Sequence, residues 1–276
     1  MTKPAVIDKR RFGPWALVTG ASSGIGRGFA LQLAANGLNV VLAARRRPLL
    51  EELRGQLVDQ FGVQARVVQT DLTSEGFLDE IRRATDDLEV GLLVSSAGAP
   101  LPGGFLDADV ERVLWQARLD VVAHVELTHH FASSMAARGR GGVLLVSAMG
   151  VDHGHPLLAA SFAGKSYVRI LGEGLHAEFA KLGVNTTVLL PGPTDTAVIG
   201  AIGFDLVQTP FKTQSVEQCV AEALRALTAN RPTILSGRIN RLVYALVPSS
   251  VIARMTGSML GRAISAKTAR PADAAT

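Results

Sequence analysis

Residues 19–26 read Thr19-Gly20-Ala21-Ser22-Ser23-Gly24-Ile25-Gly26. An apolar run, Trp15-Ala-Leu-Val-Thr19, stands before them, and an apolar-periodic stretch follows to about residue 36. The pattern predicts a strand, a Gly-rich turn and a helix. Three glycines in such a turn each have a physical task. One permits the tight turn, one lets backbone approach a pyrophosphate, and one permits close helix–strand packing. The helix start adds unpaired N–H groups and a partial positive charge. The spacing is G-x-x-x-G-x-G rather than the commoner G-x-G-x-x-G, and a glycine-rich turn alone also suits a plain βα connection. Its place, after a strand and opening a helix, points to a phosphate cradle made by Gly20, Ser22, Ser23, Gly24, Ile25 and Gly26.

Working outward, short apolar runs alternate with helical patterns. Strands are expected at Asn39–Ala43, Val63–Gln69, Gly91–Ser95, Gly142–Ser147, Val184–Leu190 and Thr233–Leu235. Helices are expected at about 47–60, 74–85, 107–138 (as two helices) and 159–181. Strands that lack polar alternation are covered on both faces, as in parallel sheets. The expected fold is α/β: a single doubly wound Rossmann domain, with about seven parallel strands and helices on both faces. It spans 1–264, with a variable lid at about 195–215 and a small, polar, disordered tail at 265–276.

Composition narrows the function classes. The chain has 276 residues, 47% apolar and 19% charged, which is an ordinary globular balance. Net charge is +4 and the pI about 9.6. The arginines are scattered apart from Arg45-Arg46-Arg47 and do not interleave with aromatics, so a nucleic-acid surface is not expected. Cys219 is the only cysteine, which leaves no disulfide framework and no cysteine-based zinc site. His153 and His155 with Asp152 are too few for a metal site to be read. The first residues carry no apolar leader, and no apolar run reaches the roughly 18 residues of a membrane helix. A cytoplasmic protein without a transmembrane segment is expected.

The end of the second strand bears on the cofactor. An acidic residue there would hold the ribose 2′-hydroxyl of NAD; an arginine accommodates a 2′-phosphate. The chain has Ala43-Ala-Arg45-Arg46-Arg47, so NADP(H) is expected, with Arg27 as a reinforcement. The other reading makes these arginines a solvated first helical turn.

Ser161 and Lys165 lie four apart and share a helix face. A serine nucleophile with a lysine base is one reading, although the β-lactamase type spaces the pair by three.

Several motifs, in order, resemble the short-chain dehydrogenase/reductase family of the classical type, over nearly the whole chain. They are TGASSGIG, TDLT with Asp71 and Leu72, SSAG with Ser96, Ala97 and Gly98, and PGPTDT with Pro191, Gly192 and Thr194. The run ARGRGGVLLVSA and the C-terminal segment GRINRLVYALVPSSVIARM are similar too. The resemblance implies that Asp71 contacts adenine, that Lys165 holds the ribose, and that the Pro-Gly motif closes over the nicotinamide. It places Ser161 where the family has its catalytic tyrosine, Ala148 where it has serine, and Asp120 where it has asparagine. Of those four positions only Lys165 is unchanged. Ser147, next to Ala148, is expected to face away.

In that family hydride passes between nicotinamide and a carbonyl or alcohol carbon, and the tyrosine moves the proton. Loss of general acid–base catalysis typically costs about 10²–10⁴-fold. Tyr167 lies about 200° from Lys165 around the helix and should face elsewhere. Tyr244 has no evident place in the pocket. Asp152, His153 and His155 follow the fifth strand, beside the substrate pocket, and are candidates for the missing acid; the alternative is exposed loop residues. Three functions remain open. One is an NADP(H)-dependent oxidoreductase acting on an atypical acceptor, such as an imine, iminium or activated carbonyl. The others are a non-redox cyclase, isomerase or dehydratase, and an inactive NADP-binding protein. The lid, with Phe204 and Phe211, suggests a hydrophobic small molecule. The long helices suggest a homodimer or homotetramer, as in the family.

Overall fold

The computed structural model describes residues 6–197 and 211–268. Strands are β1 (Trp15–Thr19), β2 (Asn39–Ala44), β3 (Ala65–Gln69), β4 (Val90–Ser95), β5 (Gly141–Val146), β6 (Val184–Leu190) and β7 (Thr233–Leu235). They form one parallel sheet in the order β3-β2-β1-β4-β5-β6-β7. From β1 the chain winds outward to β3, then returns to β4 and winds the other way. That reversal opens a crevice beyond the carboxyl ends of β1 and β4.

Helices are α1 (Lys9–Phe12), α2 (Gly24–Ala35), α3 (Arg47–Phe61), α4 (Phe77–Arg83), α5 (Val110–Ala117), α6 (Ala123–Arg138), α7 (Ala159–Ala180), α8 (Val216–Thr228), α9 (Arg238–Leu246) and α10 (Ser249–Thr268). Successive strand residues point to opposite faces. Ala16, Val18, Val40, Leu42, Leu92 and Val94 therefore join one core, with Phe29 and Leu33 of α2, Leu53 and Leu57 of α3, and Leu224 of α8. Leu17, Val41, Leu93, Val143 and Leu145 join the other, with Ile81 of α4, Leu127 and Phe131 of α6, and Val168 of α7. Each fully buried leucine contributes about 1.5–3 kcal/mol. This double burial is why the strands read as unbroken apolar runs. The sole cysteine, Cys219 on α8, is buried, and burial pushes its thiol up to about 11.

The expected strands and the helices 24–36, 47–60 and 159–181 are present within a few residues. Several details differ. The helix expected at 74–85 begins only at Phe77, because Gly76 takes a left-handed φ of 80°. The stretch from Val110 to Arg138 is two helices joined by a π-helical turn, Arg118–Val122, in which the Ala123 N–H reaches the Arg118 carbonyl. Helix α8 was not anticipated, although Ser215 caps it by accepting from the Gln218 N–H and its apolar residues recur at helical spacing. Helix α10 runs through 265–268, residues expected to be tail; 269–276 lie outside the described residues, as does 198–210 of the expected lid.

Candidate active-site cleft

A cleft of about 530 Å³ lies over the carboxyl ends of the central strands. Its inner end is the glycine turn. Gly20 has a φ of 66°, and a Cβ on Gly26 would stand 2.3 Å from the Gly20 carbonyl oxygen, so the turn folds back on the first coil of α2. The α2 N-cap, Ser23, makes no side-chain capping bond. Unfilled N–H groups thus face a groove that a glycine keeps narrow. Thr19 Oγ1 accepts from the Ser96 and Ala97 N–H groups at 3.0 and 3.1 Å, joining the ends of β1 and β4.

Arg45 and Arg46 both line this end of the cleft. Arg46 donates to Ser22 Oγ at 3.0 Å and Ser23 Oγ at 2.7 Å. The Arg45 guanidinium is exposed, 3.9 Å from the Asp71 carboxylate and 5.8 Å above the Trp115 ring centre. Asp71 accepts from the Thr73 N–H and hydroxyl. Arg27, expected as a reinforcement, points instead to Gln56 at 2.6 Å and does not line the cleft.

The cleft floor holds a buried ion pair. Lys165 Nζ lies 3.2 Å from Asp120 Oδ1, with the Asp120 side chain 1% exposed. Lys165 also donates to the Val146 carbonyl at 3.3 Å. Gln116 donates to the Asp120 carboxylate and, at 2.7 Å, to the Ala99 carbonyl. Burial pushes the Asp120 carboxyl up, and the Lys165 ammonium opposes that rise as the next influence. The pair leaves no spare room: a Cβ on Gly98 would stand 2.6 Å from Lys165 Nζ, and one on Gly164 would stand 2.8 Å from Asp120 Cβ. Ser161 also lines the cleft, and its Oγ accepts from the Leu101 N–H at 2.8 Å.

Ser147, expected to face away, lies just past β5 and does line the cleft. Its hydroxyl is engaged, donating to the Lys165 carbonyl at 2.6 Å.

Of the loop candidates, only His155 reaches the cleft. Its ring stacks on Phe162 with centroids 3.9 Å apart, and Nε2 meets the Gly150 carbonyl at 2.9 Å. Burial lowers its pKa, against the pull of the Gly150 carbonyl. His153 is a correction: it is exposed and lies on a separate small groove with Pro156 and Ser250, because the turn swings it outward while His155 packs inward. Asp152 is held by Arg169 and by the Tyr244 hydroxyl, and Tyr167 is exposed away from the cleft. Every other expected site residue lines the cleft: the Gly20–Gly26 turn, Asp71, Leu72, Ser96, Ala97, Gly98, Pro191, Gly192 and Thr194 join those above. Among the described residues no cluster of three or more His, Cys, Asp or Glu could hold a metal ion.

The outer end is apolar. Leu158, just before α7, and Phe162 of α7 line it together with Ile252, Met255 and Met259 of α10, and Phe211 and Val247 complete the wall. Sequence reading missed Gln116 and the cleft-lining role of Ile252, Met255 and Met259 on α10. Gln116 stands four residues before Asp120 on the same helical stretch, which is a legible spacing.

A short-chain dehydrogenase family model matches residues 14–205. The chain belongs to the short-chain dehydrogenase family. A very-long-chain 3-oxoacyl-CoA reductase-like protein of Arabidopsis thaliana is 32% identical over 198 residues, 70% of this chain but 64% of that protein, under two thirds of its length. A 7beta-hydroxysteroid dehydrogenase of Collinsella aerofaciens is 28% identical over 242 residues, 84% of this chain and 89% of that one. Among solved structures, one of a 7beta-hydroxysteroid dehydrogenase superposes with a TM-score of 0.82 at 26% identity, covering 90% and 98% of the two chains. A short-chain dehydrogenase from Sphingobium yanoikuyae in complex with NADPH gives 0.76 at 26%, covering 95% and 99%.

The family is one of oxidoreductases that use NAD(P). This chain's residues fit such a dinucleotide. The cradle at Gly26 admits no side chain, the first N–H groups of α2 face it, and two arginines flank it. No helix among the described residues is long and apolar enough to cross a membrane.

Proposed function

We propose that this short-chain dehydrogenase is NADP(H)-dependent and delivers hydride to an apolar acceptor that needs no tyrosine proton: an imine, an iminium or an activated carbonyl. The carrying observation is the cleft floor, where Ser161 stands four residues before Lys165 and Lys165 pairs with buried Asp120 at 3.2 Å. When bound, the reduced nicotinamide supplies the hydride. Arg45 and Arg46 hold the 2′-phosphate, and the α2 N-terminus holds the pyrophosphate. Lys165 holds the ribose. Asp120 offsets the Lys165 charge, so the floor does not repel a cationic acceptor. An iminium carbon takes hydride to give an amine with no proton transfer; an imine takes a proton from water first to become that iminium, and an activated carbonyl takes hydride to an anion that water protonates. A ketone would require a proton, and a serine hydroxyl is a far weaker acid than a phenol. The apolar outer wall supports a hydrophobic acceptor, and the relatives named as hydroxysteroid dehydrogenases and 3-oxoacyl-CoA reductases are consistent with one.

The test is NADPH consumption with cyclic imines and matched ketones, after titration with NADPH and NADH by nicotinamide fluorescence. NADPH should bind at least tenfold more tightly than NADH, Arg45→Glu with Arg46→Glu should abolish that margin, and imines should outpace ketones. Failure to bind NADPH would sink the reading. Product formed without cofactor consumption would identify a non-redox enzyme instead. Exposed Val110 and Leu114 of α5 and Tyr167 and Ile170 of α7 support a homodimer through these helices, which light scattering would test.

A further inference from the structure

Helix α9 presents an apolar stripe to solvent. Ile239 is 47% exposed, Leu242 61% and Leu246 73%. Their i, i+3, i+7 spacing places them on one arc, with exposed Arg238 at its edge. The opposite face buries Asn240, which bonds both the N–H and the carbonyl of Lys212 at 3.0 Å. The helix is therefore anchored by a polar residue and leaves its leucines outside, the reverse of what core packing asks.

The segment that carries this stripe has charge of one sign along its own sequence. From 238 to 268 the charged residues are Arg238, Arg241, Arg254, Arg262 and Lys267, with no Asp or Glu. Arg241 is neutralised by Glu222 at 2.6 Å. Among the described residues no ion pair is drawn to Arg238, Arg254 or Arg262, and all three are exposed. On α10, Arg254, Ser258 and Arg262 recur every fourth residue on an exposed row. Two carboxylates bond to α9 from other elements, and both are paired: Glu222 with Arg241, and Asp152 with Arg169 and Tyr244.

An apolar stripe edged by Arg238, on a segment whose own charged residues are all basic, is the pattern of a helix lying in the plane of an anionic membrane surface. We propose that α9 and α10 dock this protein onto anionic lipid, with Ile239, Leu242 and Leu246 entering the acyl boundary. The contact is peripheral, since no helix among the described residues is long and apolar enough to span. Leu246 at the end of the stripe is followed by Val247, a residue of the cleft wall, so docking sets that end of the cleft near the lipid. An apolar acceptor would then enter from the bilayer, and this last point alone rests on the proposed acceptor class.

The test is co-sedimentation of the full chain with vesicles of phosphatidylcholine alone or mixed with phosphatidylglycerol. Binding should require the anionic lipid and weaken in high salt. Leu242→Glu with Leu246→Glu should reduce it at least tenfold, and Arg238→Glu by at least fivefold, since each surface arginine is worth roughly fivefold in affinity. NADPH titration of each variant, with circular dichroism, shows that the fold and cradle are intact. Equal binding to neutral and anionic vesicles, or none to either by folded protein, overturns the proposal. A change of oligomeric state on Leu242→Glu, with no vesicle binding by the parent, would also overturn it and assign the stripe to a second copy.

Discussion

Ser161 lines the cleft four residues before Lys165 on α7, so a tyrosine there would bring a phenol into the cleft, as the proposed reading requires for ketones. Introducing Ser161→Tyr together with Ala148→Ser should raise turnover of unactivated ketones by about 10²-fold or more, read as initial rates of NADPH oxidation. Imine turnover should change far less. A second residue-scale prediction concerns His124 of α6. It is fully buried against Ser95 Oγ at 2.8 Å, and burial lowers its pKa to about 3. An unfolded histidine titrates near 6.5, so below that pH the unfolded chain takes a proton that the folded chain refuses. Stability present above pH 6.5 should fall as pH drops toward 3, at about 1.4 kcal/mol per unit for this one group. His155 and His130, also lowered by burial, add in the same direction. Urea unfolding at pH 5 and 7.5 should show a smaller difference in His124→Gln than in the parent. Lys165, Ser161 and the glycines were legible because each follows from spacing within one element. The closeness of His124 to Ser95, and of Asp120 to Lys165, joins side chains from different elements, and no local pattern encodes that.

Two glycines on neighbouring helices separate space from flexibility. Gly26 of α2 packs its Cα against the Gly20 carbonyl, and Gly26→Ala should cost about 1–3 kcal/mol in denaturant unfolding and abolish NADPH binding. Gly55 of α3 has nothing within 4 Å of where a Cβ would sit. Gly55→Ala should instead stabilise by about 0.5–1 kcal/mol and leave NADPH binding unchanged. The sheet and the helices between its strands were readable because two-sided burial writes itself as apolar runs. The π-helical turn at Arg118–Val122 was not, since an i→i−5 bond leaves no signature in composition. Helices α9 and α10 were passed over for another reason. Their apolar residues divide between cleft wall, core and solvent, so no single buried face repeats along them.

The seven strands of the described residues lie in one sheet, and the cleft gathers residues from Gly20 to Met259, so a ligand held there is linked to folding across the molecule. NADPH at about 100 times its Kd adds roughly 2.7 kcal/mol to the native state. For a chain of this size that is a rise in Tm of about 5–10 °C, while NADH at the same concentration should give a smaller shift. Differential scanning calorimetry would measure both. Cys219 bears on how such experiments can be done. The only sulfhydryl in the chain is enclosed in the α2–α8 core and kept protonated, so it ignores maleimides under native conditions. The wild-type protein is thus already a blank background for site-directed labelling. A cysteine placed at Leu246 would take a polarity-sensitive fluorophore there alone, and its emission colour would report whether that helix meets water or hydrocarbon.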